Sequence, residues 1–171
     1  MAVFPLKGVK TRLRDFPFIK IFLVVFVWSC TTFFLPFFQL GNINFLEKKD
    51  IWFGFISRFL FIFSITIPFD IRDRRLDVSR RIKTFPVLYG VQQSKNIALI
   101  SLVGCTIASI LFFLFGEKLN QYEFTSLIVS LIITAIVILF TNEKRSEYFF
   151  DILVEGTIII QFLLVWMGKN S

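Results

Sequence analysis

An all-α fold, built as a transmembrane bundle of about five spans, is what three features of this sequence predict. Of its 171 residues, 56% are hydrophobic and only 18% are charged, with a mean hydropathy of +0.74, a balance that belongs to membrane proteins rather than soluble domains. Five apolar runs approach the length needed to cross about 30 Å of hydrocarbon at about 1.5 Å per residue. The basic residues gather in alternate connecting segments, as expected for loops on one face of a membrane. No internal repeat or low-complexity linker divides the chain, so residues 1–171 are expected to form a single transmembrane domain.

Residues 1–17 are a short basic lead carrying Lys7, Lys10, Arg12 and Arg14. The apolar run behind them is too long for a signal-peptide core and has no small-residue cleavage site, so it reads as a retained helix with Pro17 in its first turn. The first span is Phe18 to Phe38, with Pro36 near its end. A connector from Gln39 to Asp50, containing Gly41, Asn42 and Asn44, leads to the second span, Ile51 to Phe69. Arg58 lies inside that span, where a charge is costly unless it is paired, faces a polar interior or reaches an interface. Pro68 is placed to bend this helix just before a run of acids. The third span is Asn96 to Phe115. After the short Gly116–Gln121 connector come the fourth span, Phe124 to Phe140, and the fifth, Tyr148 to Met167. Glu147, Asp151 and Glu155 repeat at four-residue intervals on the last helix. The first two suit its dipole, whereas Glu155 and Gln161 sit deep enough to line the bundle interior.

Several function classes drop out. The chain has no His, which removes the commonest general base and His-ligated zinc or haem. Cys30 and Cys105 are far apart within apolar runs and read as small core residues. The net charge of +7 resides in loops, with no soluble basic domain to hold nucleic acid. The 25 Phe side chains are expected to face lipid and neighbouring helices rather than line a carbocation site. Lys7, Lys10, Arg12, Arg14, the Arg72–Arg81 cluster, Lys83, Lys144 and Arg145 fall on one side of the membrane. Only Lys48, Lys49, Lys118 and Lys169 fall on the other. The amino terminus and the segment 70–94 are therefore expected to be cytoplasmic and the carboxyl terminus external.

The most informative stretch is Asp70 to Gly90, DIRDRRLDVSRRIKTFPVLYG. Asp70, Asp73 and Asp77 stand at i, i+3 and i+7, an arc of about 60° on a helix with about 100° per residue. Like charges on one face repel, and a bound divalent cation would remove that cost. Magnesium is commonly held by one or two carboxylates together with substrate phosphates. Arg72, Arg74, Arg75, Arg80, Arg81 and Lys83 surround the acids with donors for phosphate oxygens. The competing interpretation is a solvated basic loop that fixes topology and attracts anionic lipid. Register alone leaves these two open.

The segment resembles the second aspartate-rich motif of the UbiA family of intramembrane prenyltransferases. Asp73 and Asp77 fill its D-x-x-x-D element, Asp70 is the additional acid three residues earlier, and Lys83, Thr84, Pro86 and Gly90 follow in the family's order. The resemblance implies a fold like the carboxyl-terminal half of the UbiA bundle. It also implies magnesium-dependent transfer of a prenyl chain from a polyprenyl diphosphate to an aromatic or related hydrophobic acceptor, as in quinone biosynthesis. Asp73 and Asp77 would be catalytic, holding magnesium with help from Asp70, while Arg72 and Lys83 would bind diphosphate. The expected setting is membrane lipid of a bacterial cytoplasmic membrane.

The chain departs from the family in having about five spans where members have about nine. It also lacks the first motif, N-D-x-x-D-x-x-x-D; the nearest acids, Glu47 and Asp50, fall on the opposite side. A fragment or split enzyme, completed by a companion chain bearing the missing spans, is the corresponding expectation. The alternative is a non-catalytic membrane protein that keeps a cation- or anionic-lipid-binding loop. A CDP-alcohol-type transferase lacks its D-G-x-x-A-R core here, and a transporter lacks a pair of Gly/Pro-broken helices.

Overall fold

The computed structural model describes residues 3–6, 9–12, 18–39, 49–116 and 120–169. Expectations for Lys7, Arg14, Pro17, connector residues 41–48 and Lys118 fall outside these residues. The described chain contains α1 (Ile19–Gln39), α2 (Lys49–Ser79), α3 (Phe85–Leu88), α4 (Gly90–Phe115), α5 (Gln121–Phe140) and α6 (Gly156–Lys169). A π-helical segment, Phe149–Val154, leads into α6. Five of these stretches are long and apolar enough to cross a membrane: α1, α2, α4, α5, and the π segment with α6. The all-α expectation holds for the bundle.

Ahead of α1 the basic lead is not a simple extension. Strands β1 (Val3–Leu6) and β2 (Val9–Arg12) pair antiparallel, with Val3 opposite Arg12 and Leu6 opposite Val9. Val3, Val9 and Thr11 are β-branched, which suits a strand. Pro5 is tolerated because both strands of a two-stranded sheet are edges.

α2 is the longest element. Its 31 residues extend about 46 Å, well beyond the roughly 30 Å hydrocarbon layer. The apolar Ile51–Phe69 portion fills that layer, and the acid-bearing last ten residues continue past it as helix. The helix runs through Pro68 without ending. It stops at Arg81, which adopts the left-handed conformation at φ 55°. The Ile82 N–H donates to the Asp77 carbonyl at 2.9 Å and the Arg81 N–H to that of Val78 at 3.2 Å. This paired bond pattern is a Schellman cap. The segment 70–94 is thus mostly helical: the end of α2, the single turn α3, and the start of α4.

α4 begins six residues earlier than its apolar run suggests, at Gly90, whose φ of 82° makes the sharp corner after α3. α5 also starts early. Asn120 and Glu123 form a capping box in which the Asn120 side chain accepts from the backbone and Glu123 Oε2 accepts from the Asn120 N–H at 2.8 Å. Two orphan amide donors are satisfied this way.

The core lies along α2 against α4, and small side chains make the approach close. Ser57 Oγ and Ser109 Oγ are 2.7 Å apart, Ser101 Oγ donates to the Leu60 carbonyl at 3.4 Å, and a Cβ on Gly104 would stand 3.2 Å from Leu60 Cδ1. Small residues with inter-helix hydrogen bonds are the usual glue where lipid supplies no hydrophobic drive. Cys105 is buried in this seam and Cys30 is half-buried on α1, both as free thiols. Many Phe rings cluster; Phe33 and Phe34, for example, pack on Phe55.

Arg58 has no acid partner among the described residues. Its Nε donates to Thr32 Oγ1 at 3.1 Å and its Nη1 to Gln161 Oε1 at 2.9 Å. These neutral bonds tie α1, α2 and α6 together. Gln161 is buried as expected, whereas Glu155 is exposed. The Glu147–Asp151–Glu155 face is altered because the backbone passes through the π segment, whose turns are wider than an α-helix's.

Candidate functional site

The three acids sit at the polar end of α2 in different surroundings. Asp70 is 7% exposed and Asp77 is 5% exposed; both point inward toward the start of α1. Asp73 is half-buried and accepts from Arg72 Nε at 2.9 Å. Asp70, Asp73 and Asp77 are near enough for their charges to act on one another, and Lys20, in the first turn of α1, acts on both Asp70 and Asp77. Burying a carboxylate is costly unless a cation or hydrogen-bond donors compensate.

Thr84 supplies one donor. Its Oγ1 lies 3.3 Å from Asp77 Oδ2, reaching back across the Schellman turn from a buried position. Pro86 then opens α3, where a fixed φ and a missing N–H suit a first turn. Below α3, Phe85 packs on Phe18 with ring centroids 4.3 Å apart, and on Phe63 at 5.9 Å. The Lys83–Thr84–Phe85–Pro86 step is therefore clamped between α1 and α2.

Lys83 lines a cleft with Lys20, Asp70, Thr84, Phe18 and Ile21. The cleft has about 20 Å³ of room, close to the space of a single water, so a diphosphate would lie across its mouth. Arg72 is committed elsewhere. Besides Asp73, its Nη1 reaches Asp151 Oδ1 on the π segment at 3.2 Å, and its guanidinium lies over the Phe69 and Phe150 rings. Arg74 pairs with Glu143 at 3.0 Å and donates to the Pro86 carbonyl at 3.0 Å.

The structure thus brings Asp70 and Lys83 to one cleft, holds Asp77 behind it on the Thr84 hydroxyl, and sets Arg72 between Asp73 and Asp151. Among the described residues no three His, Cys, Asp or Glu side chains are grouped closely enough to hold a metal ion unaided. Sequence reasoning did not single out Lys20 or Glu143, and it read Asp151 only as an acid suited to the helix dipole. Lys20 carried a signal, as a lone cation inside the first apolar run. The pairings of Asp151 with Arg72 and of Glu143 with Arg74 carried none, because the partners are 79 and 69 residues apart.

Five apolar spans, with a carboxylate-bearing helix end backed by lysines, define a polytopic integral membrane protein with a polar site at one end of its bundle. The chain belongs to the UbiA prenyltransferase family, whose model matches residues 2–151. No curated protein and no solved structure matches it.

Proposed function

We propose that this chain takes part in prenyl transfer, moving a prenyl chain from a polyprenyl diphosphate to an aromatic or related hydrophobic acceptor within the membrane. The observation that carries this is the pair of buried carboxylates at the end of α2: Asp70 shares a cleft with Lys20 and Lys83, and Asp77 lies within reach of the Lys20 charge. A bundle gains nothing from burying like charges together, whereas a site for a cation and an anionic ester does.

The donor set fits magnesium. Asp70 and Asp77 offer oxygens only, and magnesium commonly takes one or two carboxylates and completes its shell with phosphate and water. Such an ion would supply positive charge against the departing diphosphate. Lys83 and Lys20 donate hydrogen bonds to the diphosphate across the cleft mouth. Asp73 is released to the site if Arg72 turns to the ester and gives up its carboxylate. As the allylic C–O bond breaks, its electron pair leaves with the diphosphate; the acceptor's nucleophilic atom bonds to the freed carbon and loses a proton. The motif end would face the cytoplasm of a bacterial cell, the compartment that the basic residues around 72–83 indicate. A companion chain with further spans would complete the enzyme.

The chain in lipid nanodiscs, given magnesium and a labelled prenyl diphosphate, should bind it, and Asp77→Asn should abolish binding. Metal-independent binding that survives this substitution would sink the proposal. A second reading, a non-catalytic protein with a lipid-attracting polar end, draws on the absence of a preassembled three-acid group among the described residues. It predicts anionic-lipid binding indifferent to Asp70→Asn and Asp77→Asn.

A further inference from the structure

Toward the end of the bundle away from the acids lies a partly open cavity of about 700 Å³ lined by residues of α1, α2, α4, α5 and α6. Its walls are mainly apolar, with Phe33, Phe61, Phe112 and Phe162 prominent, and its cations are Arg58 and Lys169. No Asp or Glu is among its lining residues. Arg58 lies seven residues past Ile51, about 10 Å inside the apolar part of α2, and twelve residues, about 18 Å, from Asp70.

A guanidinium carries five N–H donors. Thr32 and Gln161 use two of them. The Nη2 group and the second Nη1 hydrogen have no acceptor among the described residues. Arg58 is one of the residues that line the cavity, so donor capacity not used by Thr32 and Gln161 is available on its wall. The Phe61 ring, 5.7 Å from the guanidinium carbon, offsets part of the cost of a positive charge at this depth, but no anion among the described residues does, and the remaining donors match the two oxygens of a carboxylate.

We propose that this cavity binds a single-chain amphiphile with a carboxylate head, the head paired with Arg58 and the chain lying among the Phe rings. The volume falls in the range of small-molecule sites, about 300–1,000 Å³. A two-chain phospholipid holds its head at the membrane surface, where Lys169 sits. A single-chain acid is slim enough to bring its charge to Arg58.

The test is photolabelling of the whole chain in phosphatidylcholine nanodiscs with a diazirine-bearing palmitate. Labels should map to residues around Phe61, Phe112 and Phe162, and palmitate should compete them away while 1-hexadecanol does not. Arg58→Gln should lower labelling about tenfold or more, the loss expected when a charge-assisted bond is removed, and Arg58→Lys should restore part of it. Val165→Trp, which fills the cavity without touching Arg58, should abolish labelling even if Arg58→Gln fails to fold. Asp77→Asn should leave labelling unchanged, which separates this site from prenyl diphosphate binding. The proposal is overturned if hexadecanol competes as well as palmitate or if phosphatidylglycerol alone displaces the probe. It is equally overturned if labels fall on outward-facing Phe26 and Ile100 or persist in Val165→Trp.

Discussion

Thr84 and Asp77 meet across the end of α2, hydroxyl to carboxylate at 3.3 Å, although seven residues separate them in the chain. The contact exists because the helix ends in a Schellman cap at Arg81, which folds the following residues back along the helix they have just left. The Lys-Thr-x-Pro step thereby acquires a physical meaning. Thr84 partners an acid, Lys83 lines the cleft beside Asp70, and Pro86 starts the short helix that wedges the turn in place.

Removing the hydroxyl should loosen Asp77. Thr84→Val is expected to weaken magnesium-dependent prenyl diphosphate binding roughly fivefold, in keeping with a bond worth about 1 kcal/mol, while Thr84→Ser stays near the parent. Titration with the labelled diphosphate measures both. Equal loss in the two variants would show that packing, not the hydroxyl, matters.

Asp70 should display opposed effects on binding and stability. Neutralising a buried carboxylate removes a desolvation cost, so Asp70→Asn is expected to raise metal-free unfolding stability by about 1 kcal/mol. The same substitution should weaken magnesium-dependent ligand binding. Thermal melts without metal, set beside ligand titrations with it, test the pair; a fall in both would mean that Asp70 is chiefly structural.

At Arg81 the backbone is strained, because a left-handed conformation costs a residue bearing a Cβ roughly 1 kcal/mol. Arg81→Gly should therefore raise stability by about 0.5–1 kcal/mol, the glycine's extra unfolded-state freedom offsetting part of the gain. Arg81→Val should lower it. Melting temperatures of the two variants should move in opposite directions.

Gly168 brings α6 against α5. A Cβ there would stand 2.6 Å from the Tyr122 carbonyl oxygen and 2.7 Å from Ser126 Oγ. Backbone cannot swing aside, so Gly168→Ala should cost about 1–3 kcal/mol. Gly156→Ala, where a Cβ meets nothing within 4 Å, should be tolerated, and paired melts would show the contrast.

The number of membrane helices and the helical character of the acid-bearing segment were legible because both depend on local pattern: run length, and the i, i+3, i+7 register of Asp70, Asp73 and Asp77. The onset of α5 was also legible in principle, since Asn120 and Glu123 spell a capping box. What resisted reading is long-range. Arg58 looked like a candidate for an acid partner, but Thr32 and Gln161 belong to other helices, and Gln161 is 103 residues away. Asp151 looked like a helix-dipole acid and instead holds Arg72, a pairing that depends on a π turn no apolar pattern announces. The pairing of Val3–Leu6 with Val9–Arg12 was hidden by the basic charge of the lead, which spoke of topology and not of strand pairing.

The wide turn at Phe149–Val154 sets the phase of everything after it. Such a turn amounts to one surplus residue in an otherwise regular helix. Excising one residue there would rotate the terminal helix by about 100° and draw it in by about 1.5 Å. Gln161 would swing off the line of Arg58, and Gly168 would lose its place beside Tyr122. Residue count at this joint, more than residue identity, decides which side of the closing helix meets the rest of the bundle.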